Sequence, residues 1–198
     1  MHTILDGHIH IMSERVPAPL ELRAAMAGAE IAGGMIISMA PASFFLHTSR
    51  ITTGDRLANL MAWCAAEGLW PCYWIDPLES DAVAQVATAL KRGVAAFKII
   101  CNSFYPGDQR AMPVYRAIAA SGKPILFHSG ILWDGADSSR YNRPAEFEAL
   151  LDVPGLVFSL AHIGWPWCDE LIAVYGKLLN AHRTRPGGAP EMYIDITP

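Results

Sequence analysis

The sequence predicts an α/β protein built as a (β/α)8 barrel, incomplete because its eighth strand is missing. Seven short apolar runs alternate with six helical segments at a spacing of about 25 to 30 residues, which is the pattern of parallel strands joined by crossover helices. Most of the runs are continuously apolar, as strands buried on both faces are. An open doubly wound sheet would carry a glycine-rich phosphate turn after its first strand; that place holds Met12-Ser13-Glu14-Arg15.

The first strand runs through Ile4 to Ile11 and contains Asp6-Gly7-His8-Ile9-His10. Residues two apart on a strand share a face, so Asp6, His8 and His10 are expected to project together. A helix over Leu20 to Ala29 is stopped by Gly33-Gly34, and Met35 to Ala40 is a buried strand ended by Pro41. A loop over 42–51, with Phe44, Phe45 and His47, leads to Thr53-Gly54-Asp55 and a helix over Arg56 to Glu67, closed by Gly68. Leu69 to Ile75 is the third strand, Ser80 to Arg92 a helix closed by Gly93, and Ala95 to Ile100 the fourth strand. After Pro106-Gly107-Asp108 comes a helix over Met112 to Ser121, closed by Gly122, and then the fifth strand, Pro124 to His128. Pro144 opens a helix to Val153, Leu156 to His162 is the sixth strand, Cys168 to His182 a helix, and Met192 to Thr197 the seventh strand. A closed barrel needs eight strands. The expectation is therefore one barrel domain over 1–198, truncated at its C-terminus, either as a fragment of a longer protein or as a truncated gene product.

Composition narrows the function classes. A hydrophobic fraction of 52%, a charged fraction of 17% and 198 residues describe a chain able to bury a sizeable core. A net charge of -4 without a basic cluster gives nucleic acid nothing to hold. Cys64, Cys72, Cys101 and Cys168 form no C-x-x-C pair and read as free thiols in a reducing compartment. No apolar run reaches the roughly 18 residues of a membrane span, so a cytoplasmic protein with no membrane partner is the default.

The chemistry gathers at strand ends, where a (β/α)8 barrel keeps its active site. His8 and His10 close the first strand, His128 the fifth and His162 the sixth; of seven histidines only His2, His47 and His182 lie elsewhere. Imidazole is the commonest protein ligand for zinc, and four imidazoles at one barrel mouth read better as a metal site than as separate core histidines. Lys98, near the end of the fourth strand, is in a costly place for a cation and is either catalytic or half of a buried ion pair. Asp195, near the end of the seventh strand, is placed to orient a ligand, touch substrate or serve as a hydrogen-bonded structural carboxylate. The long loop after the fifth strand carries Arg140 and Tyr141, candidates for substrate contact because an arginine binds a carboxylate in bidentate fashion. Trp165-Pro166-Trp167 could wall the pocket.

Four segments carry a family resemblance: Asp6 to His10, Ala96-Phe97-Lys98-Ile99, Pro124 to Gly130, and Leu160-Ala161-His162-Ile163-Gly164. They resemble strands one, four, five and six of the metal-dependent amidohydrolase superfamily, and most closely its amidohydrolase 2 branch with the aminocarboxymuconate-semialdehyde decarboxylase relatives. The resemblance implies that His8, His10 and His128 ligate a divalent metal, zinc first, with His162 beside the activated water as base or second ligand. It also implies an aspartate at the end of strand eight, which this chain lacks, and in dinuclear members a carboxylated lysine at the place of Lys98. The expected activity is hydrolysis of a small carboxylated or cyclic molecule by metal-activated water. A non-oxidative decarboxylase on the same site and a non-catalytic truncated barrel are the alternatives. The expected partner is a small-molecule substrate, with homo-oligomerisation left open.

Overall fold

The computed structural model describes residues 4–17, 19–44 and 51–197. His2, His47 and Phe45 lie outside the described residues, as does most of the expected loop over 42–51. The strands are β1 (Ile4–His10), β2 (Ile31–Ile37), β3 (Leu69–Trp74), β4 (Ala96–Ile99), β5 (Ile125–Phe127), β6 (Val157–Leu160) and β7 (Glu191–Ile194). The α-helices are α1 (Pro19–Gly28), α2 (Thr53–Trp63), α3 (Ala82–Lys91), α4 (Met112–Ala120) and α5 (Cys168–Thr184). All seven strands form one parallel sheet in chain order, an incomplete (β/α)8 barrel with β1 and β7 at its edges. Among the described residues no helix is long and apolar enough to cross a membrane.

Alternation along the strands divides the interior in two. On β4, Phe97 and Ile99 join the cluster under the helices, while Ala96 joins the cluster on the sheet's other face with Ile37, Cys72, Trp74 and Leu126. Lys98 alternates with Phe97 and Ile99, so it sits on the concave side although it is fully buried. Phe127 of β5 packs edge-on against Tyr115, Phe147 and Phe158, with ring centroids 5.5, 5.2 and 6.0 Å away. Each such pair contributes about 0.5–1.5 kcal/mol beyond burial and holds the strand that delivers His128.

Three elements differ from the sequence expectation. β2 starts at Ile31 rather than Met35 and takes in Gly33-Gly34. A Cβ on Gly33 would lie 2.3 Å from the Gly68 carbonyl oxygen, and one on Gly34 2.2 Å from that of Asp6. These glycines permit close strand packing and do not punctuate a helix. α2 begins at Thr53 rather than Arg56 because Thr52 accepts the Asp55 N–H at 3.1 Å and donates its hydroxyl to Asp55 at 2.7 Å. The Arg56 guanidinium, buried behind this cap, donates to the carbonyls of Met39 and Trp74 at 3.2 and 2.7 Å and ties α2 to the sheet.

The third difference is the helix expected over 144–153, which is a 3₁₀ helix, Pro144–Asp152. Pro144, Phe147 and Leu150 are its buried residues, and Val153, which follows it, is buried as well. This spacing of three is the 3₁₀ period, and it lays one apolar row against the core. The chain therefore has five α-helices rather than six among the described residues.

Candidate active site at the carboxyl ends of the strands

The first strand reaches the site through an irregularity. Asp6 pairs with Gly34 and Ile9 with Ile36, so three steps of β1 face two of β2. A bulge of this kind re-aims side chains and unpairs an amide. Asp6 accepts the His8 N–H at 2.9 Å, so one of its carboxylate oxygens is engaged by the backbone of its own strand.

His8 is buried and doubly fixed. Its Nδ1–H donates to Asp195 Oδ2 at 2.7 Å, which leaves Nε2 as the bare nitrogen. That Nε2 lies 3.2 Å from His10 Nε2 and 3.3 Å from Lys98 Nζ. Asp195, just beyond β7, also accepts the Thr197 N–H at 2.9 Å and the Thr197 hydroxyl at 2.5 Å. Burial opposes its charge, but the hydrogen bonds from His8 and Thr197 outweigh burial and hold the carboxyl well below its usual range. Burial brings the Lys98 amine down to about 8.

His128 follows β5 and donates its Nε2–H to the Ile131 carbonyl at 3.2 Å. Burial, then Lys98 and His162, lower its pKa well below the ordinary histidine value, so it is neutral. His162 follows β6, and both it and Ile163 adopt left-handed backbone conformations, with φ of 58° and 47°. Such strain persists where surroundings over-determine it. Here the Ile163 N–H bonds the Asp195 carbonyl at 2.9 Å and the His162 Nδ1–H bonds the Thr197 carbonyl at 3.2 Å. Burial and Lys98 lower the His162 pKa also.

The four imidazoles form a continuous row: His10 to His8, 5.1 Å; His8 to His162, 5.1 Å; His162 to His128, 4.9 Å between ring centroids. Among the described residues, no set of three or more His, Cys, Asp or Glu side chains is arranged to hold a metal ion. The His8 and His10 pair nonetheless has the chemistry of half a site. Ligands at 2.0–2.1 Å on a tetrahedral zinc are about 3.3 Å apart, close to the separation of their Nε2 atoms. A histidine whose other ring nitrogen is held by a carboxylate is the usual form of a metal ligand.

Arg140 and Tyr141 are not brought to these histidines. Arg140 pairs with Asp137 at 3.0 Å and donates to the Tyr141 hydroxyl at 3.0 Å, while Tyr141 packs edge-on against Tyr105. Their short turn is held down by Asn142, which donates to the Cys101 carbonyl at 2.8 Å, and Tyr141 lines a separate depression with Ser103, Tyr105 and Asp108. A cavity of about 300 Å³ opens beside the histidines instead, lined by His128, Ile131, Trp133, His162, Ile163 and Trp165. Trp133 and Ile131 carry no signal of their own in the sequence, although both lie in the loop that leaves the fifth strand directly after His128. All four cysteines are unpaired. Burial pushes Cys64 and Cys72 up to about 12 and makes them poor nucleophiles.

Comparison with known proteins gives the family and the fold. The amidohydrolase family model matches residues 5–194. An uncharacterised TIM-barrel protein from Bordetella bronchiseptica aligns with a TM-score of 0.66 at 21% identity, over 90% of this chain and 59% of that one. A protein described as a probable 2-pyrone-4,6-dicarboxylic acid hydrolase from Acinetobacter baumannii, with citric acid bound, aligns at 0.55 and 10% identity, over 99% of this chain and 70% of that one. A 5-carboxyvanillate decarboxylase from Sphingomonas paucimobilis aligns at 0.54 and 18% identity, over 89% of this chain and 60% of that one. The chain thus spans about three fifths of the length of the first and third of these structures. No curated protein matches the sequence.

Proposed function

The chain belongs to the amidohydrolase family, and on that premise we propose that it is a metal-dependent hydrolase acting on a small carboxylated or cyclic molecule. The observation that carries the proposal is the fixed His8, with Asp195 on Nδ1 and His10 facing Nε2. His8, His10 and His128 would hold a divalent metal, zinc being the ion best suited to neutral imidazoles. When bound, zinc supplies a Lewis acid that polarises a substrate oxygen and makes water acidic near neutral pH.

The chain's own residues supply the rest. Asp195 keeps His8 in one tautomer and one orientation. His162 spends its Nδ1–H on Thr197, so its Nε2 is the atom able to take a proton from water or substrate. Lys98, fully buried with its amine 3.3 Å from His8 Nε2, would offer that amine to an anionic substrate oxygen. Ile131 and Ile163 give the cavity beside His128 and His162 apolar walls.

A non-oxidative decarboxylase on the same residues is the second reading, favoured by the shared fold of the 5-carboxyvanillate decarboxylase. The zinc-loaded chain is assayed against carboxylated lactones and cyclic amides for ring opening, and against conjugated ring carboxylates for release of carbon dioxide. Ring opening supports the hydrolase, carbon dioxide the decarboxylase, and neither product from any compound overturns both.

A further inference from the structure

The three residues that follow β7, Asp195-Ile196-Thr197, bond to histidines from both sides of that strand. The Asp195 N–H donates to the Leu160 carbonyl at 3.0 Å, which ties the stretch to the end of β6. Ile196 turns its side chain to solvent, 79% exposed, whereas Asp195 and Thr197 are partly buried and bonded to one another. The Asp195 carboxylate is divided between two directions. Its Oδ1 accepts the Thr197 N–H at 2.9 Å and the Thr197 hydroxyl at 2.5 Å, and its Oδ2 accepts the His8 Nδ1–H at 2.7 Å.

An aspartate that accepts the N–H two residues on forms a local turn. A carboxylate oxygen held by that one donor still leaves the other oxygen free to swing. The Thr197 hydroxyl puts a second donor on the same oxygen, and hydrogen bonds to an ionised acceptor are about twice as strong as neutral ones. With Oδ1 pinned twice, Oδ2 is aimed in one direction, and His8 lies in it. The turn closed in this way also faces the end of β6. The Thr197 carbonyl accepts the His162 Nδ1–H at 3.2 Å, and the Asp195 carbonyl accepts the Ile163 N–H at 2.9 Å. Those two bonds grip the left-handed pair, His162 and Ile163, whose φ values of 58° and 47° need such support.

We infer that Thr197 is a positioning residue for both His8 and His162: its hydroxyl sets the carboxylate that orients His8, and the turn that hydroxyl closes places the carbonyl that orients His162. One side chain thereby fixes the tautomer of two rings that different strands deliver, and each ring keeps a bare Nε2. The inference deepens the proposed function and rests on it for the roles of His8 as metal ligand and His162 as proton acceptor. The positioning itself stands on hydrogen bonds within the chain. Ile196, between the two bonded residues, makes none of these side-chain contacts and serves as the control.

Long-range proton–nitrogen correlation spectra of the metal-free chain at alkaline pH report which ring nitrogen carries the proton, and zinc content of the purified chain is measured in parallel. The wild-type chain is expected to show Nδ1–H on both His8 and His162. Thr197→Val keeps the shape of threonine without its donor, and Thr197→Ala is a second variant; each, once shown folded by circular dichroism, should lose the single tautomer at both rings. Thr197→Ser should restore it, and Ile196→Ala should match the wild type. Single Nδ1–H tautomers retained at either ring in both folded variants, an Nε2–H in the wild type, or failure of serine to restore the pattern would overturn the inference. Zinc absent from the wild-type chain while both rings respond to Thr197→Val would overturn the metal reading and uphold the positioning role.

Discussion

His8 Nδ1 and Asp195 Oδ2 lie 2.7 Å apart although 187 residues separate them in the chain. The contact joins the first strand to the end of the seventh, the two edges of the sheet, at the level of the site. It supplies a carboxylate to the histidine wall from within the chain. A carboxylate partner that orients a ligating histidine typically sets metal affinity by 10- to 100-fold.

Asp195→Asn is therefore expected to weaken zinc binding by about 10- to 100-fold, measured by competition with a chromophoric chelator. Unchanged affinity would show that the carboxylate is only a structural tie.

Gly130→Ala is expected to cost at least about 2 kcal/mol in urea unfolding, because φ is +98° and the new methyl meets the Trp165 carbonyl. A neutral result would mean that the loops after β5 and β6 separate freely.

The three-residue period of the 3₁₀ helix distinguishes neighbouring leucines. Leu150 is fully buried and Leu151 only partly. Leu150→Ala should cost about 2–5 kcal/mol and Leu151→Ala clearly less, both read from denaturant midpoints. Equal costs would contradict the assigned helix face.

Lys98→Met tests whether the buried amine supports the fold. Among the described residues its one hydrogen-bonding partner is His8 Nε2 at 3.3 Å, and burial disfavours its charge. Removing it should leave stability unchanged or raise it by about 1 kcal/mol. A loss above about 2 kcal/mol would make Lys98 structural rather than functional.

The sequence made the strand and helix alternation legible because apolar runs and helix-ending glycines are local features. The four site histidines were legible for the same reason, each being a polar residue at the end of an apolar run. Asp195 could be picked out as a strand-end carboxylate, but its partner could not, because that contact depends on how the sheet curls. Gly33-Gly34 read as a helix stop, since the close approach of Gly68 and Asp6 is a tertiary fact. The spacing of Pro144, Phe147, Leu150 and Val153 was visible in the sequence and also satisfies an α-helical reading at i and i+3, which hid the 3₁₀ helix. Arg140 stands out in the sequence by its charge, whereas its pairing with Asp137 and Tyr141 depends on the turn between them and shows only in the structure.

The proposed binding of a divalent metal by His8, His10 and His128 is tested most directly by metal analysis of the purified chain alongside His8→Ala and His128→Ala, with circular dichroism to confirm that both variants fold. The expected result is zinc in the wild-type chain and loss of it in both folded variants. Zinc content unchanged in both would contradict the assignment.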